Sequence, residues 1–103
     1  MVPNAVSLDL SSNRLTRIHG EWPFLLEDLN LSNNPSMERF PSLSLIPQLS
    51  VLNMDNCGLT LLPLSTSSNL RHLSLQYNRL TFVDFDSLNL PSLQKVCLIL
   101  FSK

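Results

Sequence analysis

Four times along the chain the same spacing of apolar residues returns, and each time it closes on Asn or Cys. The stretches are AVSLDLSSNRLTRI from Ala5, LEDLNLSNN from Leu26, LSVLNMDNCGLTLL from Leu49 and LRHLSLQYNRLTFV from Leu70. Their closing marks, Asn13, Asn34, Cys57 and Asn78, stand 21, 23 and 21 residues apart, and a fifth copy begins at Leu93. Five apolar slots per copy make twenty, and all are filled once one residue is inserted after Asn34, which sets Met37 and Phe40 where Leu59 and Leu62 stand later. A fixed period of this length means an array of units that bury their apolar faces only against one another. Composition agrees: 24 Leu and 10 Asn in 103 residues, 2 Gly, and 15% charge against roughly 25% in an ordinary domain.

The third copy fills the whole pattern L-x-x-L-x-L-x-x-N/C-x-L with Leu49, Leu52, Met54, Cys57 and Leu59. In this the chain resembles the leucine-rich repeat family, and the resemblance runs over essentially its full length. It implies an α/β repeat: a right-handed leucine-rich-repeat solenoid with a parallel β-sheet on its concave face. The convex segments carry Pro23, Pro41, Pro47, Pro63 and Pro91 and no long amphipathic run, so they are expected to be mostly irregular or short 3₁₀ pieces. One domain spans 1–103, with four full repeats at about 5–25, 26–48, 49–69 and 70–92 and a partial fifth at 93–103.

Alternation of period 2 in Leu8-Asp9-Leu10 puts both leucines on the inner face of a short strand and Asp9 on the outer. Beyond the strand the chain turns across the end of the core, leaving backbone groups that no sheet neighbour satisfies. An asparagine there supplies one acceptor and two donors. Stacked coil on coil, Asn13, Asn34 and Asn78 are therefore expected to form a structural ladder, with Cys57 as a weaker rung that the family pattern accepts.

The residues between the leucines face outward. By register they are Ser7, Asp9, Ser11 and Ser12, then Asp28, Asn30, Ser32 and Asn33, then Val51, Asn53, Asp55 and Asn56, then His72, Ser74, Gln76 and Tyr77. Carboxylates gather toward the N-terminal copies, while His72, Arg79 and Lys95 lie C-terminal. A face of extended strands presents side chains without loop entropy, and the resemblance implies that it binds a protein ligand. The candidate contacts are Asp9, Asp28, Asn30, Asn53, Asp55, His72, Ser74, Gln76 and Tyr77, with Tyr77 as anchor. Against this stands a merely solvated sheet face, which every repeat protein in water must make polar.

Other chemistries find less support. Asp9, Asp28 and Asp55 fall in different columns and lack the dense carboxylate loop of a calcium site. Neither His19 nor His72 has Cys or His at metal spacing. Neither a nucleophile elbow nor a phosphate-cradling glycine loop occurs, so neither an enzyme nor a cofactor is expected. With 7 Lys+Arg against 8 Asp+Glu the net charge is −1, which favours neither nucleic acid nor an anionic membrane. No run reaches the roughly 20 apolar residues of a membrane span. Cys57 and Cys97 stand two coils apart, about 9.6 Å at strand spacing, too far for a disulfide. Asn30-Leu31-Ser32 matches the glycosylation acceptor, a short motif that fifteen serines and ten asparagines meet by chance. Trp22, flanked by Pro23 and Phe24, is read as a core plug under the first convex return in preference to an exposed contact.

Cysteine-rich caps, which flank extracellular members of the family, are missing. In VCLILFSK the apolar Ile99, Leu100 and Phe101 stand where polar residues and Asn belong, so the ends are expected to be uncapped and open to self-association. The functional expectation is a non-enzymatic protein-binding module, a fragment of a larger receptor or adhesion ectodomain. An intracellular adaptor or regulatory subunit is the alternative. Extracellular or cell-surface location is favoured, with cytoplasmic as the other choice.

Overall fold

In the computed structural model of the chain, the residues described are 5–16, 22–23, 25–37, 46–60, 69–81 and 90–98. Five short strands form one parallel sheet in chain order: β1 (Ser7–Asp9), β2 (Asp28–Asn30), β3 (Val51–Asn53), β4 (His72–Leu75) and β5 (Lys95–Leu98). No helix occurs among the described residues. The register is unbroken: Leu8, Leu29, Leu52, Leu73 and Val96 lie side by side, as do Asp9, Asn30, Asn53, Ser74 and Cys97. Because side chains alternate along a strand, a one-residue slip would turn every leucine out to solvent, and the apolar spacing forbids it. The result is a solenoid of stacked coils joined by one parallel sheet, the architecture that the resemblance implies.

Hydrogen bonding between coils continues past the strands at both ends. Before them, Val6, Glu27, Ser50 and Arg71 each offer a carbonyl to two N–H groups of the following coil. After them, the N–H groups of Ser12, Asn33 and Asn56 reach the carbonyls of Ser32, Asp55 and Gln76 at 2.9 Å. These residues and Tyr77 share the left-handed backbone conformation, with φ between 52° and 62°. That conformation swings the chain out of the sheet and lets the next side chain tuck inward.

The core is a column of layers. Leu26, Leu29, Leu31, Leu49, Leu52, Met54, Leu70, Leu73, Leu75 and Leu80 are closed to solvent, joined by Ile46 and Cys57, and Trp22 is buried with them. Leu8, Leu10, Leu93 and Leu98 in the outer coils are only half-buried, since each coil needs two neighbours to close. Ile99, Leu100 and Phe101 lie outside the described residues, as does His19.

Candidate functional site

Asn34 and Asn78 are fully buried where the strands give way to the turn. The Asn78 Nδ2 donates to the carbonyls of Met54 at 2.8 Å and Leu75 at 3.0 Å, and its Oδ1 accepts from the N–H groups of Cys57 at 2.9 Å and Leu59 at 3.1 Å. Asn34 acts likewise two coils earlier, donating to the carbonyls of Leu10 and Leu31 and accepting from the N–H of Leu15. Asn13 is exposed; it donates to Leu10 and Ser11, and among the described residues its Oδ1 accepts nothing.

Cys57 occupies its rung with one donor, its thiol reaching the Leu31 carbonyl at 3.1 Å. The coil below has adjusted to the missing oxygen. Pro35 has no N–H to offer, and the Met37 N–H bonds to the Asn34 carbonyl at 3.1 Å. Gly58 completes the fit: at φ 69° it sits against the Pro35 carbonyl, where a Cβ would collide with the oxygen. Burial pushes the Cys57 thiol above its usual pKa, the Asn34 N–H pulls the other way, and the Asp55 charge adds to the rise.

A second ladder runs along the concave face itself. The side-chain oxygens of Asp9, Asn30 and Asn53 each accept the N–H two residues on, from Ser11, Ser32 and Asp55, at 2.9 to 3.0 Å. Ser74, next in the column, is too short for this. Its hydroxyl donates to the Asp55 Oδ1 at 2.6 Å, and that oxygen also takes the Gln76 N–H at 2.7 Å. Asp55 thereby does for the fourth coil what Asn53 does for the third. The Ser11 hydroxyl and N–H hold the Asp9 carboxyl below the ordinary carboxylate range. A third link joins the left-handed residues, with the Asn56 Nδ2 donating to the Asn33 Oδ1 at 3.1 Å.

The nine candidate contact residues thus divide. Asp9, Asn30, Asn53, Asp55 and Ser74 spend side-chain groups on the turn, while Asn30 and Asn53 keep their Nδ2 donors. Among the described residues Asp28, His72, Gln76 and Tyr77 make no such bonds, and Tyr77 is 69% exposed. Ser32, read from sequence as an open-face residue, is buried. Two depressions mark the face. One of about 290 Å³ lies over β3–β5, with Val51, Asn53, His72, Ser74, Lys95 and Cys97 in its lining. The other, about 160 Å³, opens at the N-terminal rim between Glu27, Gln48, Ser50, Asn69 and Arg71. Glu27 and Arg71 escaped the sequence reading because they precede the strands and so fell outside the alternation used to find the face. The charge of each was the available signal.

A leucine-rich repeat family model matches residues 3–59, more than half of the chain, and a second matches residues 69–95. The chain belongs to the leucine-rich repeat family. Neither the curated proteins nor the solved structures gave a match. Leucine-rich repeat domains generally mediate protein–protein interaction and are typically non-enzymatic. Among the described residues of this leucine-rich repeat chain no three metal-binding side chains converge, and no helix is long and apolar enough to cross a membrane. Cys57 and Cys97 are both free thiols.

Proposed function

We propose that this chain is a non-enzymatic module that binds a protein ligand on the concave face of its sheet. The contacts would come from Asp28, His72, Gln76 and Tyr77, helped by the Nδ2 donors of Asn30 and Asn53. The supporting observation is the division of labour across the face: the inner columns are locked by their own turns, and the flanking side chains project freely from that fixed base. A rigid platform loses little entropy when a partner seats on it. Tyr77 adds a second reason. A tyrosine in the left-handed region costs on the order of 1–2 kcal/mol, at a position where the two preceding coils use Asn, and a side chain placed there at that cost suits an aromatic anchor. The domain is proposed to comprise four full repeats and a partial fifth, within the bounds given above.

The setting is proposed as part of a receptor or adhesion ectodomain. The half-buried free thiol of Cys97 favours the second setting, an intracellular adaptor or regulatory subunit, because thiols persist in reducing compartments. Removal of N-glycans from the cellular protein separates the two: a mass shift assignable to Asn30 places it in the secretory route, and an unmodified Asn30 with an alkylatable Cys97 favours the cytosol. For the interaction, a photo-crosslinking residue is placed at Gln76 on the face or at exposed Thr81 beyond it. A protein adduct formed from Gln76 alone supports the concave site. Adducts formed equally from both positions count against it.

A further inference from the structure

Along the N-terminal rim of the sheet the charges are sorted. Coil 2 presents Glu27 and Asp28, both exposed; coil 3 presents the neutral Ser50 and Val51; coils 4 and 5 present Arg71, His72 and Lys95, again exposed. Hydrogen bonds fix them in two rows. Ser50 N–H donates to the Glu27 carbonyl at 2.8 Å and Arg71 N–H to the Ser50 carbonyl at 2.9 Å, while Asp28, Val51, His72 and Lys95 are direct strand neighbours. At about 4.8 Å per strand, Glu27 stands about 10 Å from Arg71, and Asp28 about 14 Å from Lys95. These are spacings between backbones, and among the described residues none of the four side chains carries an ion pair. One depression opens on this rim between Glu27 and Arg71, and the other lies over β3–β5 with Val51, His72 and Lys95 at its rim end.

We infer that this bipolar rim docks an extended segment of a partner protein that carries one basic and one acidic side chain three to four residues apart, with small or apolar residues between. The inference rests on the concave-face reading above and adds the chemistry of what is recognised. An extended chain advances about 3.3 Å per residue, so three to four residues cover the 10 to 14 Å between the charge clusters. The base lies against Glu27 and Asp28, the acid against Arg71 and Lys95, and the residues between them rest over Ser50 and Val51. Charge complementarity favours such a segment over an all-acidic or all-basic one, each of which meets a like charge at one end. Either chain direction satisfies the spacing.

The test uses the full 103-residue chain, isotope-labelled, and capped octapeptides of Thr and Val. One peptide carries Lys and Glu four positions apart, one carries them adjacent, and one replaces both with Gln. Amide shifts should map to Glu27, Ser50, Arg71 and Lys95, with the spaced peptide binding about three- to tenfold more tightly than the adjacent one and losing that lead in high salt. Joint Glu27→Lys and Asp28→Lys substitution should abolish the preference and transfer it to a peptide with two Glu at the same spacing, a gain that misfolding cannot produce. Equal binding of all peptides, no binding, or failure of the transfer overturns the inference. A cellular partner that crosslinks from Gln76 yet ignores both Glu27→Lys/Asp28→Lys and Arg71→Glu/Lys95→Glu refutes the bipolar segment and leaves the concave site standing. A partner that no face variant weakens removes both.

Discussion

Asn78→Ala should be among the most damaging single substitutions in the molecule, and its cost can be worked from four contacts. Truncation strands the N–H groups of Cys57 and Leu59 in a fully buried turn. An orphaned buried donor costs ~1–3 kcal/mol, so the pair costs ~2–6 kcal/mol. The carbonyls of Met54 and Leu75 also lose their donor, but under-satisfied carbonyls are better tolerated. A domain of this size has a total stability of roughly 5–15 kcal/mol, so the variant should be near its unfolding threshold. With a urea slope of about 2 kcal/mol/M, the midpoint followed by circular dichroism falls on the order of 1–3 M. Asn78→Asp should do no better, because it sets a negative oxygen against the Met54 and Leu75 carbonyls. Asn53→Ala removes one acceptor from the partly buried Asp55 N–H and should cost about 1 kcal/mol. If Asn78→Ala and Asn53→Ala shift the midpoint equally, the buried rung does not carry the turn and the reasoning is wrong.

Tyr77→Asn should stabilise the chain by up to ~1 kcal/mol, by relieving a left-handed tyrosine, while weakening partner binding; a lower melting temperature would contradict the strain. Gly58→Ala should cost ~2 kcal/mol or more, since both its φ and the Pro35 carbonyl oppose a Cβ, and an unchanged urea midpoint would show that the coil can give. The Cys57 thiol is raised by burial, so its stabilising contribution is whole below the unfolded thiol value of about 8.5. It is lost as pH climbs from there through the folded value. The urea midpoint of the parent should therefore fall more between neutral and alkaline pH than that of Cys57→Ser, and parallel profiles would refute the linkage. Val6 is exposed and Leu8, Leu10, Val96 and Leu98 are half-buried in the outer coils, so light scattering should show self-association rising with concentration; a monomer throughout would oppose it.

The period and the apolar slots were readable from the chain because burial enforces them: every leucine assigned to the third-copy pattern is buried, and the parallel register follows from stacking equal coils. The family pattern likewise placed Asn34, Cys57 and Asn78. Less legible was the open face. Alternation tells which side chains point outward but not what they bond, and short polar residues such as Asn30 and Asn53 can bond their own backbone two residues on. The left-handed turn at Ser12, Asn33, Asn56 and Tyr77 makes that bond possible, and only the two asparagines among them hint at it. The compensation around Cys57 was hidden for a related reason. The inserted residue after Asn34 is visible in the sequence, but its effect, a Met37 N–H satisfied within its own coil, depends on the path of the backbone.

Binding through the concave face is tested most directly by calorimetric titration of the protein crosslinked from Gln76 against two triple variants. One removes His72, Gln76 and Tyr77; the other removes Arg14, Thr16 and Thr81, which are exposed beyond the sheet. Concave binding predicts at least about a tenfold loss for the first, the equivalent of ~1.4 kcal/mol, and a change within about twofold for the second. A larger loss from Arg14, Thr16 and Thr81 would contradict it and move the partner off the sheet.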